Sequence, residues 1–359
     1  MIIRMTGSSL SAAPPTAPLR VGIIGASGYT GAELMRLVAG HPHFELVVAT
    51  GDTQAGTRVV DLYPSVAAQY PDLVFAASDT SSVVAAVDGL DAVFLGLPHE
   101  ASMAIAPAIV GRVRCVIDLS AAFRMKDASV YPTWYGFVHD QPALLAEAVY
   151  GLPELHRSAL PGARLVATPG CYVTAATLCL APLVRSGAIA TTGIIVDAAS
   201  GASGAGRGLK HGSLFGSVNE DFGAYGLLDH RHTPEMQDQI GAELLFTPHL
   251  APMNRGILAT CYATPTSSTS TEALIESLAA FYVDEPFVVV SDRSPSTKAT
   301  LGSNAVHITA RYDVRTNHVI VIGAIDNLCK GASGGAVQAA NVALGLPETA
   351  GLSSIGVYP

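Results

Sequence analysis

Gly25-Ala-Ser-Gly28-Tyr-Thr-Gly31 is the stretch that decides the fold of this 359-residue chain. It follows an apolar run at residues 20–24 and precedes a helical pattern at residues 32–39, which ends at His41-Pro42. Glycines between a strand and a helix permit a tight turn and let a pyrophosphate approach the backbone N–H groups at the helix N-terminus. The spacing GxxGxxG in this setting predicts a dinucleotide-binding loop.

Strands and helices alternate onward from this loop. Apolar runs at residues 45–50, 92–97 and 114–119 predict further buried strands with helical segments between them, which is typical of a parallel, doubly wound sheet. The pattern changes after about residue 170, because residues 242–264 and 286–325 alternate as antiparallel strands do.

We therefore predict an α/β, Rossmann-type, doubly wound nucleotide-binding domain and an α+β catalytic domain with a mainly antiparallel sheet. A chain of this length favours two domains over a single core. The predicted division is a flexible leader at residues 1–18, a dinucleotide-binding domain at 19–170, a catalytic and oligomerisation domain at 171–328, and a C-terminal helix at 329–359 that returns to the dinucleotide-binding domain.

The composition argues against several function classes. Although 49% of the residues are hydrophobic, no apolar run approaches the roughly 18 residues needed to span a bilayer. The formal net charge of −9 argues against a general nucleic-acid-binding protein. Five cysteines without a CxxC pair argue against a disulfide framework or a zinc site.

These limits leave a protein with reduced thiols in the cytoplasm, acting on a small molecule, with no metal, nucleic-acid or membrane partner. Residues 1–18 contain a single basic residue, Arg4, and no continuous apolar segment, so they make a poor signal peptide. Apolar strands in the second domain predict a homodimer or homotetramer.

Thr168-Pro-Gly-Cys-Tyr172 is the most informative stretch for chemistry. Pro-Gly ends a strand and helical periodicity follows, which predicts that Cys171 stands at a helix N-terminus. The partial positive charge there stabilises a thiolate, the reactive form of cysteine. The other four cysteines lie inside apolar elements and are expected to be buried: Cys115, Cys179, Cys261 and Cys329.

A nucleophilic cysteine works with a general acid or base, and His230-Arg-His-Thr-Pro-Glu235 is the densest basic group in the chain. The residues alone leave either histidine open for this role, since both share a face if the segment is extended. Cations that can hold a phosphate or carboxylate follow two other strands. They are Arg124, Arg207 and Lys210.

Thr50-Gly-Asp-Thr-Gln54, at the end of the second strand, is where the coenzyme ribose is recognised. Asp52 favours NAD, because a carboxylate accepts a hydrogen bond from the 2′-hydroxyl. Arg58 and the hydroxyls of Ser27 and Thr53 can serve the 2′-phosphate of NADP. The sequence leaves this choice open.

Together these motifs resemble N-acetyl-gamma-glutamyl-phosphate reductase of arginine biosynthesis, a family of the aspartate-semialdehyde-dehydrogenase-like superfamily. The matching segments run in the family's order and cover nearly all of residues 20–359. They are residues 25–31, Leu97-Pro-His99, Asp118-Leu-Ser-Ala-Ala-Phe-Arg124, Tyr150-Gly-Leu-Pro-Glu154, residues 168–172, 200–207, 230–235 and 255–260, Gly302-Ser-Asn304, and residues 325–333.

The resemblance implies a semialdehyde-dehydrogenase-like fold that uses NADP(H) to reduce N-acetyl-L-glutamyl 5-phosphate to the 5-semialdehyde and phosphate through a cysteine thioester. It implies Cys171 as the nucleophile and His230 as the acid/base. The expected substrate-binding residues are Arg124, Arg207, Lys210, Tyr225, His232, Glu235 and Asn304. The expected cofactor-binding residues are Gly25, Ser27, Gly28, Tyr29, Thr30, Gly31, Thr53, Pro98, His99, Ser120, Ser200, Gly201, Asn327 and Lys330.

Two positions depart from the family pattern. Many relatives carry an arginine in the stretch that matches residues 50–54, and this chain has none, so Asp52 leaves NAD(H) open beside NADP(H). Relatives commonly have Glu-Asn before the tyrosine that matches Tyr225, whereas this chain has Glu220-Asp221. A carboxylate at that position weakens a substrate hydrogen bond or repels an anionic substrate.

Two other functions stay open at this point. One is reduction of a different acyl phosphate, such as aspartyl phosphate or a carrier-linked aminoadipyl or glutamyl phosphate. The other is a redox-sensing, nucleotide-binding regulator without turnover, although such a protein does not need a helix-start thiol, two histidines and anion-binding arginines together.

Overall fold

The computed structural model describes residues 17–209 and 211–359. Its strands are β1 Leu19–Ile24, β2 Phe44–Ala49, β3 Ala92–Leu95, β4 Cys115–Asp118, β5 Val149–Tyr150, β6 Leu165–Ala167, β7 Ile194–Gly201, β8 Gly223–Ala224, β9 Leu244–Ala251, β10 Ile257–Ala263, β11 Val288–Val290, β12 Val306–Asp313 and β13 His318–Ile325. Its α-helices are α1 Tyr29–Ala39, α2 Val59–Leu62, α3 Thr80–Ala86, α4 His99–Ile109, α5 Val130–Tyr135, α6 Pro142–Glu147, α7 Pro153–His156, α8 Cys171–Arg185, α9 Phe215–Val218, α10 His232–Ile240, α11 Thr271–Phe281, α12 Thr297–Thr300 and α13 Gly334–Ala343.

One compact unit, here called the parallel-sheet unit, contains residues 17–169 and Ala332–Leu352. Its six strands lie in the order β2-β1-β3-β4-β6-β5 and all pair in parallel. Because β2 and β3 lie on opposite sides of β1, the strand order reverses there, and ligands bind at the carboxyl ends of strands at such a reversal. The predicted Rossmann-type domain is confirmed.

The strands of this unit are apolar because the sheet is covered on both faces. Every residue of β3 and β4 is buried, as expected for central parallel strands between helical layers. Helix α13, from the C-terminal part of the chain, packs against α1 and β4 in the same unit.

The second compact unit, the mixed-sheet unit, contains Gly170–Gly331 and Ser353–Pro359. Its seven strands lie in the order β11-β12-β13-β10-β7-β9-β8, and all neighbours are antiparallel except β11–β12 and β7–β9. The expectation of a mainly antiparallel sheet is confirmed. Helix α8 lies closely on this sheet, because a Cβ added to Gly323 of β13 would come within 2.4 Å of the Cys179 sulfur.

The C-terminal residues divide between the units, and Ala332–Leu352 belong to the parallel-sheet unit. Ser353–Pro359 belong to the mixed-sheet unit. There Asn304 N donates to Ser353 O at 2.7 Å and Val357 N donates to Leu301 O at 2.7 Å. These backbone hydrogen bonds hold the end of the chain beside α12, an arrangement that no local pattern predicts.

Within the described residues, no helix is both long enough and apolar enough to cross a membrane.

Candidate active site

Cys171 is the first residue of α8, as the sequence predicts. Gly170 is the N-cap in an extended conformation, and the first helical hydrogen bond runs from Thr174 N to Gly170 O at 2.8 Å. The N–H groups of residues 171–173 therefore point out of the helix end, where they favour negative charge. Cys171 is partly exposed.

The other four cysteines are 0–1% exposed, so the prediction that they are buried is confirmed. Burial raises the pKa of Cys115 to about 12. The hydrogen bond with Cys179, together with burial, raises the pKa of Cys261 well above its usual value. These two thiols stay protonated and unreactive at neutral pH.

Helix α10 packs against the Gly170 turn with both a ring and a carboxylate. The His232 ring lies so close that a Cβ added to Gly170 would be 2.5 Å from Nε2. Glu235 Oε1 accepts the Gly170 N–H at 3.0 Å, and the Glu235 side chain is fully buried. The turn before the nucleophile is thus formed jointly by two segments distant in sequence.

The two histidines differ in position. The segment is not extended, because His232 begins α10. His230 is half-buried against Tyr172, Tyr225 and Phe246, and the centre of its ring lies 4.7 Å from that of His232. Arg231, which lies between the two histidines in sequence, is the N-cap of α10.

His230 is held in a defined protonation state. Burial, assisted by Arg231 and opposed by Asp229, lowers the pKa of His230 to about 4. Its Nδ1 accepts the His232 N–H at 3.1 Å. A neutral imidazole whose Nδ1 is an acceptor carries its proton on Nε2, so His230 offers an N–H donor at that atom.

Two tyrosines form a hydroxyl chain beside this cluster. Tyr225 OH donates to Tyr172 OH at 3.2 Å, and Tyr172 OH donates to His249 O at 3.0 Å. Burial raises the pKa of both phenols, so both remain neutral. The role of Tyr172, next to the nucleophile in sequence, was missed by the sequence reasoning, although its place in the Cys-Tyr pair was a usable signal.

A second group of expected residues surrounds Asn327. Its Oδ1 accepts the Gly256 N–H at 2.7 Å, and its Nδ2 donates to Ser203 Oγ at 2.9 Å. The Asn327 amide therefore ties the turn that follows Ser200 and Gly201, the last residues of β7, to the segment that begins β10. Arg207 is half-exposed farther along that turn.

The segment that carries Asn327 and Lys330 continues to the nucleophile. A Cβ added to Gly331 would lie 2.8 Å from the Cys171 Cβ, so the backbone of residue 331 covers the cysteine closely. Lys330 itself is 1% exposed, with Nζ 5.9 Å from the centre of the Phe287 ring.

An ion pair between a partly exposed arginine and a buried carboxylate, which the sequence reasoning missed, fixes this segment. Arg255 Nη2 lies 3.0 Å from Asp326 Oδ1, and the Asp326 side chain is fully buried. The same oxygen accepts the N–H groups of Leu328 and Cys329, while Oδ2 accepts the Gly302 N–H. The carboxylate therefore organises three backbone segments.

The glycine loop of the parallel-sheet unit has the predicted form. Gly25 has φ of +88°, and a Cβ there would come within 2.5 Å of Gly96 O. A Cβ at Gly31 would lie 2.4 Å from Ala26, so helix and loop pack too tightly for any side chain. At Gly28, the N-cap of α1, an added Cβ would meet only Gly25 O, at an ordinary contact distance of 3.7 Å. The helix N-terminus is therefore accessible to a pyrophosphate, and the loop fits a dinucleotide.

The loops after β3 and β4 lie beside each other in the same unit. Pro98 caps α4, and His99 Nδ1 accepts the Ala121 N–H at 2.9 Å. Buried Asp118 accepts hydrogen bonds from Ser102 Oγ at 2.6 Å and Ser120 Oγ at 2.8 Å. Burial raises the pKa of Asp118, and these hydrogen bonds oppose that shift.

Arg124 belongs to this buried group rather than to the exposed surface. It is 7% exposed, and Nη2 donates to Leu119 O at 2.9 Å. Its charge also favours the ionised form of Asp118. The contribution of Asp118 to this loop was not anticipated from sequence.

At the ribose end, Thr50 is buried and its hydroxyl accepts the Gly25 N–H at 3.1 Å. Asp52 and Thr53 are exposed. Exposed Arg58 donates to Pro71 O at 2.7 Å. Ser27 is fixed through its carbonyl, which accepts the Tyr63 hydroxyl at 2.7 Å.

Glu235 and Asn304, two of the expected substrate-binding residues, have no exposed surface. Glu235 Oε1 accepts the Gly170 N–H, and Asn304 N donates to Ser353 O. Lys210 lies outside the described residues.

Curated relatives match the chain almost from end to end. N-acetyl-gamma-glutamyl-phosphate reductase of Symbiobacterium thermophilum is 48% identical over 95% of this chain and 99% of its own length. That of Pelobacter propionicus is 46% identical over 95% of this chain and 100% of its own. The chain belongs to the N-acetyl-gamma-glutamyl-phosphate reductase family. It is an oxidoreductase of the semialdehyde dehydrogenase class.

Both units of this family member match known domains. Residues 20–163 match the semialdehyde dehydrogenase NAD binding domain, and residues 171–327 match the semialdehyde dehydrogenase dimerisation domain. Aspartate semialdehyde dehydrogenase II from Vibrio cholerae, solved in complex with ASA, superposes with a TM-score of 0.66 at 15% identity, covering 91% of this chain and 98% of that one. A probable aspartate-semialdehyde dehydrogenase from Pseudomonas aeruginosa gives 0.65 at 20% identity, with 90% and 98% covered. These likenesses confirm the semialdehyde-dehydrogenase-like fold.

Proposed function

We propose that the protein reduces N-acetyl-L-glutamyl 5-phosphate to N-acetyl-L-glutamate 5-semialdehyde and phosphate, with NADPH as reductant, in arginine biosynthesis. The observation that carries the proposal is the position of Cys171 at the start of α8, where the His232 ring packs against the preceding Gly170 and the His230 ring lies 4.7 Å from that of His232. Reductases of that name are 46–48% identical to this chain over nearly their full length, which supports the choice of acyl group.

The first step is attack of the Cys171 thiolate on the acyl carbonyl. A helix N-terminus lowers the free energy of the thiolate, and its free N–H groups stabilise the negative oxygen of the tetrahedral intermediate. The bond from the carbonyl carbon to the phosphate oxygen then breaks. Phosphate leaves and the acyl group remains on Cys171 as a thioester.

His230 is the proposed acid/base, with His232 in a supporting position. The overall reduction consumes one proton, which His230 in its protonated, imidazolium form gives to an oxygen of the reacting group, leaving the neutral ring. Its pKa of about 4 makes the imidazolium a strong acid and the neutral ring the dominant form at neutral pH. The neutral ring offers Nε2–H as a hydrogen-bond donor, and it takes up the next proton from solvent to restore the cycle.

We assign coenzyme binding to the Gly25–Gly31 loop, with Pro98, His99 and Ser120 in the neighbouring loops of the same unit. A nicotinamide coenzyme, when bound, supplies the hydride that reduces the thioester. The uncrowded position of Gly28 and the tight glycine contacts at Gly25 and Gly31 support the assignment. The resemblance to the family also proposes Ser200 and Asn327 of the mixed-sheet unit as coenzyme-binding residues.

NADPH is proposed over NADH. Exposed Thr53, together with the side chain of Ser27, provides hydroxyl donors for a 2′-phosphate, and exposed Arg58 provides a cation in the segment that follows. Asp52 opposes this choice, because its carboxylate repels a phosphate and suits a 2′-hydroxyl. A comparison of both coenzymes therefore belongs in the test.

We also propose that the chain forms a homodimer through the mixed sheet, and that it works in the cytoplasm. Ile195 of β7 and Leu245 of β9 are register partners and are 39% and 46% exposed. Tyr262 and Ile320 continue the same half-exposed row across β10 and β13. A charged substitution such as Leu245→Glu should shift the mass measured by light scattering from that of a dimer to that of a monomer. An unchanged mass would rule out this surface as the dimer interface.

The experiment for the reaction runs it in reverse. The purified protein should reduce NADP⁺ with N-acetylglutamate 5-semialdehyde only when phosphate is present, and faster than NAD⁺. Aspartate semialdehyde in the same assay should give at most a small fraction of that rate. Equal or higher turnover of aspartate semialdehyde, or turnover independent of phosphate, would overturn the proposed function.

A further inference from the structure

We infer that Glu235 is a positioning residue for the nucleophile, acting through the backbone of Gly170. The inference rests on the proposed role of Cys171. Glu235 has no exposed surface, so its carboxylate acts inside the protein rather than on substrate.

Both backbone polar groups of Gly170 are fixed. Its N–H donates to Glu235 Oε1 at 3.0 Å, and its carbonyl accepts both the N–H of Thr174 at 2.8 Å and the Thr174 hydroxyl at 3.1 Å. The peptide that precedes Cys171 therefore has little rotational freedom. The orientation of this peptide sets the direction in which the Cys171 side chain leaves the helix.

The partner of Gly170 comes from a different element. Glu235 lies in the first turn of α10, which also places the His232 ring against Gly170. One helix thus supplies His232 and the carboxylate that fixes the cysteine turn, and His230 lies immediately before the N-cap of this helix.

The hydrogen bond also assigns the oxyanion donors. Because the Gly170 N–H is taken by Glu235, the first N–H of the helix end that can reach a tetrahedral oxygen is that of Cys171. A carboxylate that reaches the Gly170 N–H keeps the turn in place and leaves the Cys171 N–H for the substrate. If the turn is displaced, the Cys171 N–H no longer points at the substrate oxygen. Small displacements of reacting groups of about 1 Å cost about a hundredfold in rate.

Two substitutions separate reach from charge. Glu235→Gln keeps the length and an acceptor oxygen but removes the charge. Glu235→Asp keeps the charge and loses one methylene of reach. Asp238→Asn, on the exposed side of the same helix, is the matched control.

The variants are compared by kcat and KM in the reverse assay, by the rate of Cys171 alkylation with iodoacetamide, and by thermal unfolding. Glu235→Gln should keep kcat within about threefold, and Glu235→Asp should lose about ten- to a hundredfold in kcat with KM nearly unchanged. The alkylation rates should fall in the order wild type, Gln, Asp. Asp238→Asn should match the wild type in all three.

Three results would overturn the inference: Asp more active than Gln, equal activity of both variants, or a lower unfolding temperature with kcat and alkylation unchanged for the folded fraction. The alkylation measurement needs no substrate. If the wild-type protein has no reductase activity, the proposed function fails while the order of alkylation rates still decides the role of Glu235.

Discussion

The backbone N–H of His232 donates to Nδ1 of His230 at 3.1 Å, so the two histidines of one motif hold different positions and cannot exchange roles. The contact fixes the His230 ring and leaves its proton on Nε2. His232, in turn, is 8% exposed and packs on the turn before the nucleophile. The relationship survives substitution of the His232 side chain, because the donor is a backbone group.

Substitution of His230 should therefore mainly affect turnover, and substitution of His232 should mainly affect stability. His230→Gln should lower kcat about a hundred- to ten-thousandfold, the usual contribution of a general acid or base, with the unfolding temperature nearly unchanged. His232→Gln should mainly lower the unfolding temperature, with a smaller loss of kcat. Steady-state kinetics and thermal unfolding of both variants check this, and a larger kcat loss in the folded His232 variant would reverse the assignment.

Iodoacetamide should modify one thiol of the native protein, since Cys171 is partly exposed and the other four cysteines are 0–1% exposed. Burial and the raised pKa of Cys115 and Cys261 suppress their reactivity further. Peptide mass spectrometry after brief treatment should find the label on Cys171 alone, and on all five cysteines after unfolding. Equal labelling of any second cysteine in the native state would contradict the thiol assignment.

A pair of glycines tests the coenzyme loop. Gly25 and Gly56 have similar positive φ angles, +88° and +83°, but an added Cβ meets Gly96 O at 2.5 Å only at Gly25, and has open space at Gly56. Gly56→Ala should cost about 1 kcal/mol of stability from the left-handed backbone and leave NADPH binding unchanged. Gly25→Ala should weaken NADPH binding severely. Fluorescence titration with NADPH measures both, and equal affinities would place the coenzyme elsewhere.

Acid should destabilise the protein through His41. Its ring is stacked on Phe44 at 3.9 Å and hydrogen-bonded to Asn341, and burial lowers its pKa to about 4. The unfolded chain, with the ordinary value of 6.5, takes up this proton first as the pH falls. Stability therefore declines from about pH 6.5 to pH 4, and this contribution levels off below pH 4.

The linkage is measurable in urea unfolding as a function of pH. Near pH 5, His41→Gln should reduce the slope of unfolding free energy against pH by about one proton, or ~1.4 kcal/mol per pH unit. His318→Gln, which removes an exposed imidazole, controls for the loss of a histidine. An unchanged slope in the His41 variant would show that burial does not hold this ring neutral.

Local sequence signals predicted the parts of the site that local structure creates. Three glycines opening one helix fixed the loop at Gly25–Gly31, and Pro-Gly before a helical pattern placed Cys171 at a helix start. Both depend on a few consecutive residues, whose backbone requirements are visible in a single sequence.

Long-range partners were not predictable in the same way. The Gly170–Glu235 hydrogen bond joins residues 65 positions apart, and the Arg255–Asp326 pair joins residues 71 apart. A charged residue in a motif suggests contact with an anionic or polar substrate, yet the Glu235 side chain is buried and hydrogen-bonded to the backbone N–H of Gly170. Likewise, the C-terminal residues 353–359 follow backbone partners near α12 rather than a pattern of their own.

An acyl group carried on Cys171 can be trapped before it is reduced. The protein is supplied with N-acetylglutamyl 5-phosphate in the absence of reduced coenzyme, quenched in acid, and digested for peptide mass spectrometry. An N-acetylglutamyl group is expected on the Cys171 peptide, absent from Cys171→Ala and lost when NADPH is added before the quench. An acyl group on another residue, or none in a sample that turns over once NADPH is supplied, would contradict this role of Cys171.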